Sequence, residues 1–374
     1  MAKLGDFISP AKNIKCGDGK YPVLSMTMHD GIVLQSDRFK KSLASADQSG
    51  YKVVDYGQLV VGFPIDEGVL YLQRVIEQGI MSPAYNVWDV DYSHVDPSYF
   101  ELSLHSPQAM QYYKENLRGS TARRRSLPKE VLLELPLKMP SMDEQKRVAT
   151  SIDKLTHLID MRSKQLDKLD ELVKSRFIEM FENKNYQIEK LGAVCRKITD
   201  GTHKTPTYLD EGITFISAKN IVNGELDFTN IKHISEEEYQ EIQKRCQTDI
   251  FDILLSKSGS LGAPVIVKTK EKLGLFESLA VLKYDRDRLL PEFLCEQLKM
   301  DSVQRQFKTG TKGVAIKHLH LGVIADTDII VPPLNEQKTF AAFVAQVDKS
   351  KLAVQKSLEQ LEILKKALMQ EYFG

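Results

Sequence analysis

The sequence lacks the patterns that mark a membrane protein or a disulfide-stabilised protein. No apolar run approaches the roughly 20 residues that cross a bilayer, and the first residues contain no apolar signal-peptide stretch. The four cysteines lie far apart and form no Cys-x-x-Cys pair, so neither a disulfide framework nor a zinc ribbon is expected. These absences predict a cytoplasmic chain without membrane contacts, whose cysteines are core or incidental thiols.

Motifs of catalysis and cofactor binding are also missing. There is no Gly-x-x-x-x-Gly-Lys-[Ser/Thr] phosphate loop, no dinucleotide fingerprint, and no Asn/Asp-Pro-Pro-Tyr run of the kind found in enzymes that methylate base amino groups. His318 and His320 have no neighbouring carboxylate or cysteine that would complete a metal site. We therefore expect no catalytic residue, no metal and no cofactor in this chain.

Charge gives no overall indication of a partner. The 51 basic residues balance the 51 acidic ones, so the formal net charge is zero. Nucleic-acid binding would therefore require a local basic surface.

What the sequence does contain is a long internal repeat. The segment that begins PSMDEQK at Pro140 matches PPLNEQK at Pro332, and the match continues without a gap for about 40 residues at a shift of 192 positions. Both copies lack internal Pro and Gly and place apolar residues at alternating steps of four and three, which predicts two long helices with a coiled-coil seam. The seam residues include Val148, Ile152, Leu155, Ile159, Leu166 and Leu169 in the first copy, and Val344, Val347, Leu358 and Leu361 in the second.

Two arrangements of these helices are open. They could be unrelated amphipathic helices, each packed on its own domain, or they could pair with each other. Cations interrupt the two seams at different levels, Arg162 and Arg176 in one and Lys351 and Lys365 in the other, which favours pairing in a fixed register. Asp143 and Asn335 are predicted as the N-caps.

The rest of the chain repeats as well. KLGDFIS at Lys3 recurs as KLGAVCRKI at Lys190, and each copy precedes short strand-like runs, one helix (Pro97–Leu117 in the first unit, 291–307 in the second) and a loop before the long helix. The short polar linker between the units favours antiparallel helix packing. The predicted fold is therefore α+β, with two similar α/β domains at opposite ends of an antiparallel two-helix coiled-coil rod and a pseudo-twofold internal repeat. The predicted boundaries are 1–142, 143–183, 184–334 and 335–374.

The loops before the long helices carry similar chemistry in both units. Small residues, hydroxyls and cations together suit contacts with phosphate, because the backbone approaches closely while Arg or Lys neutralises charge. The alternative is a solvated basic turn. The candidates are Thr121, Arg123, Arg124 and Arg125 in the first unit, and Lys312 and Lys317 in the second.

A further loop in the second unit, DGTHKTPTYLDEGITFISAKNI, combines compact donors that can read base edges, although capping hydroxyls in a structural turn explain it nearly as well. Its candidates are Thr202, His203, Lys204 and Lys219. Lys257, in the run DILLSKSGSLG, is a further candidate. The corresponding stretch of the first unit offers Arg38 and Lys40.

The order of variable domain, Pro-x-x-Glu-Gln-Lys, long helix, variable domain, PPLNEQK and long helix resembles the specificity subunit of Type I restriction–modification systems. DGTHKTPTYLDEGITFISAKNI, DILLSKSGSLG and GSTARRRSL are similar to recurring phrases of that family, and the resemblance spans the whole chain. It implies a non-catalytic subunit with two target-recognition domains, each reading one half of a bipartite, asymmetric site in double-stranded DNA.

The resemblance also implies partners. The helical rod would fix the gap between the half-sites and dock two methyltransferase subunits, which bind S-adenosylmethionine, and restriction/translocase subunits could join them for phage defence. Two other readings stay open: a protein-binding adaptor whose end domains do not bind DNA, and the specificity module of another methylation or defence system. An enzyme in its own right comes last, because no motif supports one.

Overall fold

The computed structural model describes residues 2–28, 30–38, 47–117, 127–182, 184–310 and 318–374. The chain divides into two compact units. The first unit comprises Met1–Ser163 and Lys356–Gly374, and the second comprises Lys164–Gln355. In the described part of the chain, no helix is both long and apolar enough to cross a membrane.

Short strands and helices make up most of the first unit. Its strands are β1 (Ala2–Lys3), β2 (Ile8–Pro10), β3 (Leu24–Thr27), β4 (Gly31–Leu34), β5 (Lys52–Asp55), β6 (Leu59–Val61), β7 (Leu70–Leu72), β8 (Gln78–Met81), β9 (Asn86–Val90) and β10 (Pro136–Leu137). Its helices are α1 (Gln35–Arg38), α2 (Pro97–Leu104), α3 (Pro107–Asn116) and α4 (Lys129–Leu133), followed by the long α5 (Met142–Phe177).

The second unit has a corresponding series of elements. Its strands are β11 (Ile188–Lys190), β12 (Cys195–Asp200), β13 (Ile213–Ile216), β14 (Ile221–Val222), β15 (Glu225–Leu226), β16 (Lys232–Ile234), β17 (Ile253–Ser256), β18 (Pro264–Ile266), β19 (Leu273–Leu275), β20 (Leu279–Tyr284) and β21 (Asp328–Ile330). Its helices are α6 (Leu191–Val194), α7 (Glu236–Arg245), α8 (Pro291–Lys299), α9 (Asp301–Gly310), α10 (Leu321–Ala325) and the long α11 (Leu334–Phe373).

The internal repeat predicted from the sequence is confirmed by sheet topology. A four-stranded antiparallel sheet has the order β2-β9-β6-β7 in the first unit and β12-β20-β17-β18 in the second. A two-stranded antiparallel pair joins the first strand of each repeat to the strand that precedes the following long helix, β1 with β10 before α5 and β11 with β21 before α11. The mixed α and β composition agrees with the predicted class.

The long helices pair antiparallel within each unit. In the first unit, Val148 and Ile152 near the start of α5 share an apolar cluster with Phe373 at the end of α11, and the ring of Tyr99 of α2 packs at a tilt against Phe373. In the second unit, Phe177 at the end of α5 packs on Phe340 near the start of α11 and on Phe293 of α8. The start of one helix therefore meets the end of the other, as predicted. Charge supports this register in the second unit, where the ammonium group of Lys351 lies 2.5 Å from a carboxylate oxygen of Asp170.

Some local predictions were wrong. The helices start one residue earlier than the predicted N-caps, so Asp143 and Asn335 lie inside the first turn, and Ser141 instead precedes α5. The single helix predicted at Pro97–Leu117 is two helices, because Ser106 caps a new helix whose first residue is Pro107. The corresponding helix of the second unit also divides, at Met300 between α8 and α9.

A buried glutamine explains the repeated Glu-Gln-Lys sequence. The amide oxygen of Gln337 accepts the backbone N–H of Leu290 at 2.8 Å, and its NH₂ group donates to the carbonyls of Arg288 and Pro332, each at 2.8 Å. Gln145 makes the equivalent bonds in the first unit, from the N–H of Asp96 and to the carbonyls of His94 and Pro140. Each glutamine thus connects the start of a long helix to a loop of the domain, which is the loop before α2 for Gln145 and the loop before α8 for Gln337.

Replacing Gln337 by leucine is expected to lower the free energy of unfolding by about 3 kcal/mol or more, because it leaves one N–H and two carbonyls without their partner in a buried place. Chemical denaturation of the full chain measures this loss. Gln346→Leu on the exposed face of the same helix is the control, for which a change within about 0.5 kcal/mol is expected. Equal effects of the two substitutions would contradict the anchoring role.

Candidate nucleic-acid interface

A buried ion pair organises one end of the main sheet in the second unit. Asp200 ends β12 and Lys257 directly follows β17, so the sheet brings together two residues that are 57 positions apart. The Lys257 ammonium lies 2.5 Å from the Asp200 carboxylate, and both side chains are only 3 % exposed. The backbone of Lys257 is also fixed, by bonds to Ser278 and Leu319.

The same carboxylate holds two side chains that reach solvent. Arg245, the last residue of α7, donates to Asp200, and the His203 imidazole lies 3.3 Å from it. These two side chains are 55 % and 56 % exposed. Burial alone would raise the pKa of Asp200, but hydrogen bonds and charges from Lys257 and Arg245 outweigh it, so the pKa lies below its ordinary value. The Asp200 carboxylate, whose ionised form is favoured in this way, is therefore suited to orienting Arg245 and His203.

The loop that follows Asp200 is held by its backbone. A Cβ on Gly201 would lie 2.1 Å from the carbonyl oxygen of Leu275, so only glycine fits here. The N–H of Thr202 donates to the same carbonyl, and its hydroxyl accepts the N–H of Lys204 at 3.1 Å. The Thr202 hydroxyl thus shapes a turn, as the structural alternative for this loop proposed, while Lys204 is exposed beside it.

Further charged groups join this end of the sheet. Glu277 lies 3.7 Å from the Lys257 ammonium and 3.4 Å from the His318 imidazole. The backbone N–H of Ala218 donates to Ser278, which places the exposed Lys219 next to the same strand connection. Four segments that are distant in sequence therefore converge, near residues 200–204, 218–219, 257 and 277–278, with His318 completing the group.

An open cleft of about 440 Å³ lies between the 201–206 loop and α7. Arg245, His203 and Lys204 line it together with Glu237, Glu238 and Glu241, so cations and carboxylates face each other across it. Such mixed donors and acceptors can discriminate among base edges, whereas a purely basic cleft would bind phosphate without preference.

The structure places the sequence candidates in three groups. Lys204, His203 and Lys219 lie exposed around the second-unit site, whereas Lys257 is buried and held by Asp200. Arg38 ends α1 in the first unit and forms an ion pair with Asp30. The remaining candidates lie outside the described residues: Lys40, Thr121, Arg123, Arg124, Arg125, Lys312 and Lys317.

Asp200, Arg245 and Glu277 were not among the residues predicted from the sequence. The helix that carries Arg245 begins with three glutamates and reads as a solvated acidic face, although it ends in Lys244 and Arg245. No local pattern marks a helix-end arginine as the partner of an aspartate 45 residues away.

The first unit has different residues at the equivalent end of its sheet. Strand β6 corresponds to β17 and is followed by Gly62, Phe63 and Pro64 instead of a lysine. Strand β2 corresponds to β12 and ends in Pro10 instead of an aspartate. The two units thus present the same frame with different chemistry.

The seam candidates of the long helices divide into a buried group and a half-buried group. Val148, Ile152 and Leu155 in the first unit and Val344 and Val347 in the second are buried. The remaining seam candidates are half-buried: Ile159, Leu166, Leu169, Leu358 and Leu361. Other apolar side chains of the helices are exposed, namely Leu158, Met161, Ile363 and Leu364 in the first unit and Leu172 and Leu352 in the second.

Comparison with known proteins gives a consistent result. Residues 183–363 match the family model described as the Type I restriction modification DNA specificity domain. The chain is 20 % identical to the MjaVIII specificity subunit of a Type I restriction enzyme from Methanocaldococcus jannaschii, over 99 % of this chain and 90 % of that protein. It is 22 % identical to the EcoBI specificity subunit from Escherichia coli, over 69 % of this chain and 62 % of that protein.

Two solved structures share the fold. One, from work on complex assembly and conformational transition of the type I R-M system, has a TM-score of 0.58 at 16 % identity and covers 100 % of this chain and 96 % of its own. The other, the S subunit of a Type I restriction–modification system from M. genitalium, has a TM-score of 0.54 at 15 % identity and covers 100 % and 95 %.

Proposed function

We infer that this chain belongs to the family of Type I restriction–modification specificity subunits and supplies the DNA sequence specificity of a restriction–modification complex. It is a non-catalytic subunit, so the chemistry takes place on its partners. Each unit reads one half of a bipartite, asymmetric site in double-stranded DNA.

The observation that carries this proposal is the repeated sheet with different residues at the same end. In the second unit that end displays Arg245, His203 and Lys204 around a cleft, and the first two are held by the buried Asp200. In the first unit, the positions equivalent to Asp200 and Lys257 hold neither an aspartate nor a lysine. Two readers with one frame and different side chains recognise two different short sequences, which an asymmetric site requires.

Phosphate contacts accompany base reading in this proposal. Cations of the loops before the long helices, Arg123–Arg125 in the first unit and Lys312 and Lys317 in the second, hold the DNA backbone and set the register. Such contacts carry little sequence information, and they make affinity depend on salt.

The partners are two methyltransferase subunits, which bind S-adenosylmethionine and methylate adenine, and restriction/translocase subunits that join for cleavage. Several seam residues, such as Val148, Ile152 and Val344, lie in apolar clusters that contain residues of both long helices. We therefore place methyltransferase docking on the exposed apolar residues of the helices, such as Leu158 and Met161 in the first unit and Leu172 in the second.

Single-molecule sequencing of adenine methylation tests the function in cells that express this chain with the methyltransferase encoded beside it. The expected result is a two-part motif that disappears when this chain is omitted. Methylation that is absent, or identical without the chain, would contradict DNA specificity and favour a protein-binding adaptor. Omitting the methyltransferase instead is the control for methylation by other enzymes of the host.

A further inference from the structure

A small polar cleft lies at the end of the main sheet in the first unit. It measures about 130 Å³, and it is bounded by the end of β2, the start of β9, the start of β5 and the first residue of α4. This is the end of the sheet that carries Asp200 and Lys257 in the second unit, because β2 and β9 correspond to β12 and β20. Its lining residues are nevertheless quite different.

Three lysines converge on this cleft from separate parts of the chain. Lys12 follows β2, Lys52 begins β5 and Lys129 begins α4. None of its lining residues is an Asp or a Glu, and within the described ranges no carboxylate lies within ion-pair distance of these three ammonium groups. Asn13 and Asn86 add amide groups to the wall. The charge of the cleft is therefore unbalanced.

The pKa of Lys52 reflects this excess of positive charge. Lys52 is half-buried, and its ammonium group donates to the carbonyl of Tyr85 at 2.5 Å. Its pKa is lowered, first by burial and then by the positive charge of Lys129. Like charges held together at reduced solvation favour an anion that neutralises them.

A second observation at this cleft is independent of the lysines. Trp88 also lines it and is only 2 % exposed. The indole N–H is buried, and it has no hydrogen-bond acceptor within the described part of the chain. Buried indole groups usually find a partner, so an unpaired one on a residue that lines this cleft is unusual.

We propose that this cleft binds one phosphate group through Lys12, Lys52 and Lys129, with Trp88 in its wall. The cleft is smaller than the 300–1,000 Å³ pockets that hold drug-sized ligands, so it suits a single anionic group better than a nucleotide base. The group is supplied either by the DNA backbone or by a free phosphate. The first source rests on the function proposed above, and the second does not.

Trp88 makes the proposal directly measurable, because it is the single tryptophan of the sequence. The full chain is labelled with 5-fluorotryptophan and assembled with unlabelled methyltransferase subunits, so that one ¹⁹F resonance reports on the cleft. Duplex DNA that carries the methylated motif and inorganic phosphate are titrated separately, and then in competition.

A shift with DNA alone assigns the site to a backbone phosphate. A shift with inorganic phosphate that DNA displaces supports the same site, and a shift with phosphate that DNA leaves unchanged supports a separate anion site. No shift with either ligand, in a complex that binds DNA, would overturn the proposal and leave the function intact. A shift with inorganic phosphate in a complex that does not bind DNA would support the anion site and contradict the proposed function.

The variant Lys12→Ala/Lys129→Ala separates direct binding from a remote effect on Trp88. Both side chains are exposed, so the fold should tolerate their loss. The ¹⁹F shift should disappear, DNA affinity should fall severalfold, and the slope of log affinity against log salt should decrease by about one.

Lys114→Ala/Lys146→Ala removes the same charge from two exposed helix positions of the first unit and should leave all three quantities unchanged. If the two double variants changed the ¹⁹F shift, the DNA affinity and the salt slope equally, the effect would be one of general charge, and the proposed site would be overturned.

Discussion

A complex in which both long helices carry four additional residues is expected to methylate a motif whose spacer is longer by about two base pairs. Four helical residues add roughly 6 Å at 1.5 Å per residue, and successive base pairs lie about 3.4 Å apart along DNA. The insertion sites are Ser163/Lys164 in α5 and Gln355/Lys356 in α11, where each helix passes from one unit to the other. A Glu-Ala-Ala-Lys insert keeps the helix intact.

The paired design is what makes this experiment informative. Inserting into both helices at the same boundary preserves the antiparallel contacts inside each unit, such as Val148 with Phe373 and Phe177 with Phe340. The same four residues inserted into α5 alone should disturb that pairing and reduce methylation. A length-neutral replacement at the same two places is the control. If the doubly extended chain methylates the original motif, the helices do not set the spacing.

Replacing Lys257 by methionine is expected to destabilise the second unit by about 3–5 kcal/mol, because it leaves the buried Asp200 carboxylate without its buried cation. The difference in free energy of unfolding between the wild type and the variant should be largest at neutral pH. The lowered pKa of Asp200 means that the wild-type advantage is lost as the pH falls through that pKa, so the two stability curves should converge in acid. Denaturant titrations across pH measure both effects.

The double variant Lys257→Met/Asp200→Asn is the decisive comparison. It removes both charges of the pair, so most of the lost stability should return. DNA recognition should not return, because Arg245 and His203 lose the carboxylate that orients them. Methylation sequencing should then show a motif degenerate in one half only. Lys268→Met, at an exposed position of the same unit, is the control. Full specificity in the double variant would exclude Asp200 from positioning the reader.

Sequence patterns carry the helical part of this fold well, and there is a physical reason. An apolar residue at every third or fourth position marks the face of a helix locally, so Val148, Ile152 and Val344 could be assigned to the seam without knowing their partners. The division between α2 and α3 could also have been predicted, since Ser106 and Pro107 form an ordinary helix start. It was overlooked because apolar residues lie on both sides of it.

The polar features were harder to predict because they depend on residues that are distant in sequence. Gln145 bonds to a loop about 50 positions away, and the Asp200–Lys257 pair forms only when β12 and β17 join one sheet. Lys12, Lys52 and Lys129 show no common spacing, yet they meet in one cleft. Charge counts average over such clusters, which is why a net charge of zero coexists with a local group of three lysines.

The division of the chain also bears on the order in which its parts can fold during synthesis. The second unit is one continuous segment, Lys164–Gln355, whereas the first needs residues 356–374 as well. Phe373 fills the cluster around Tyr99 and Ile152, and the ribosome adds it after the whole of the second unit. The unit that begins first is therefore completed last, and until then the nascent chain carries an exposed apolar surface on α2 and α5 that chaperones would recognise.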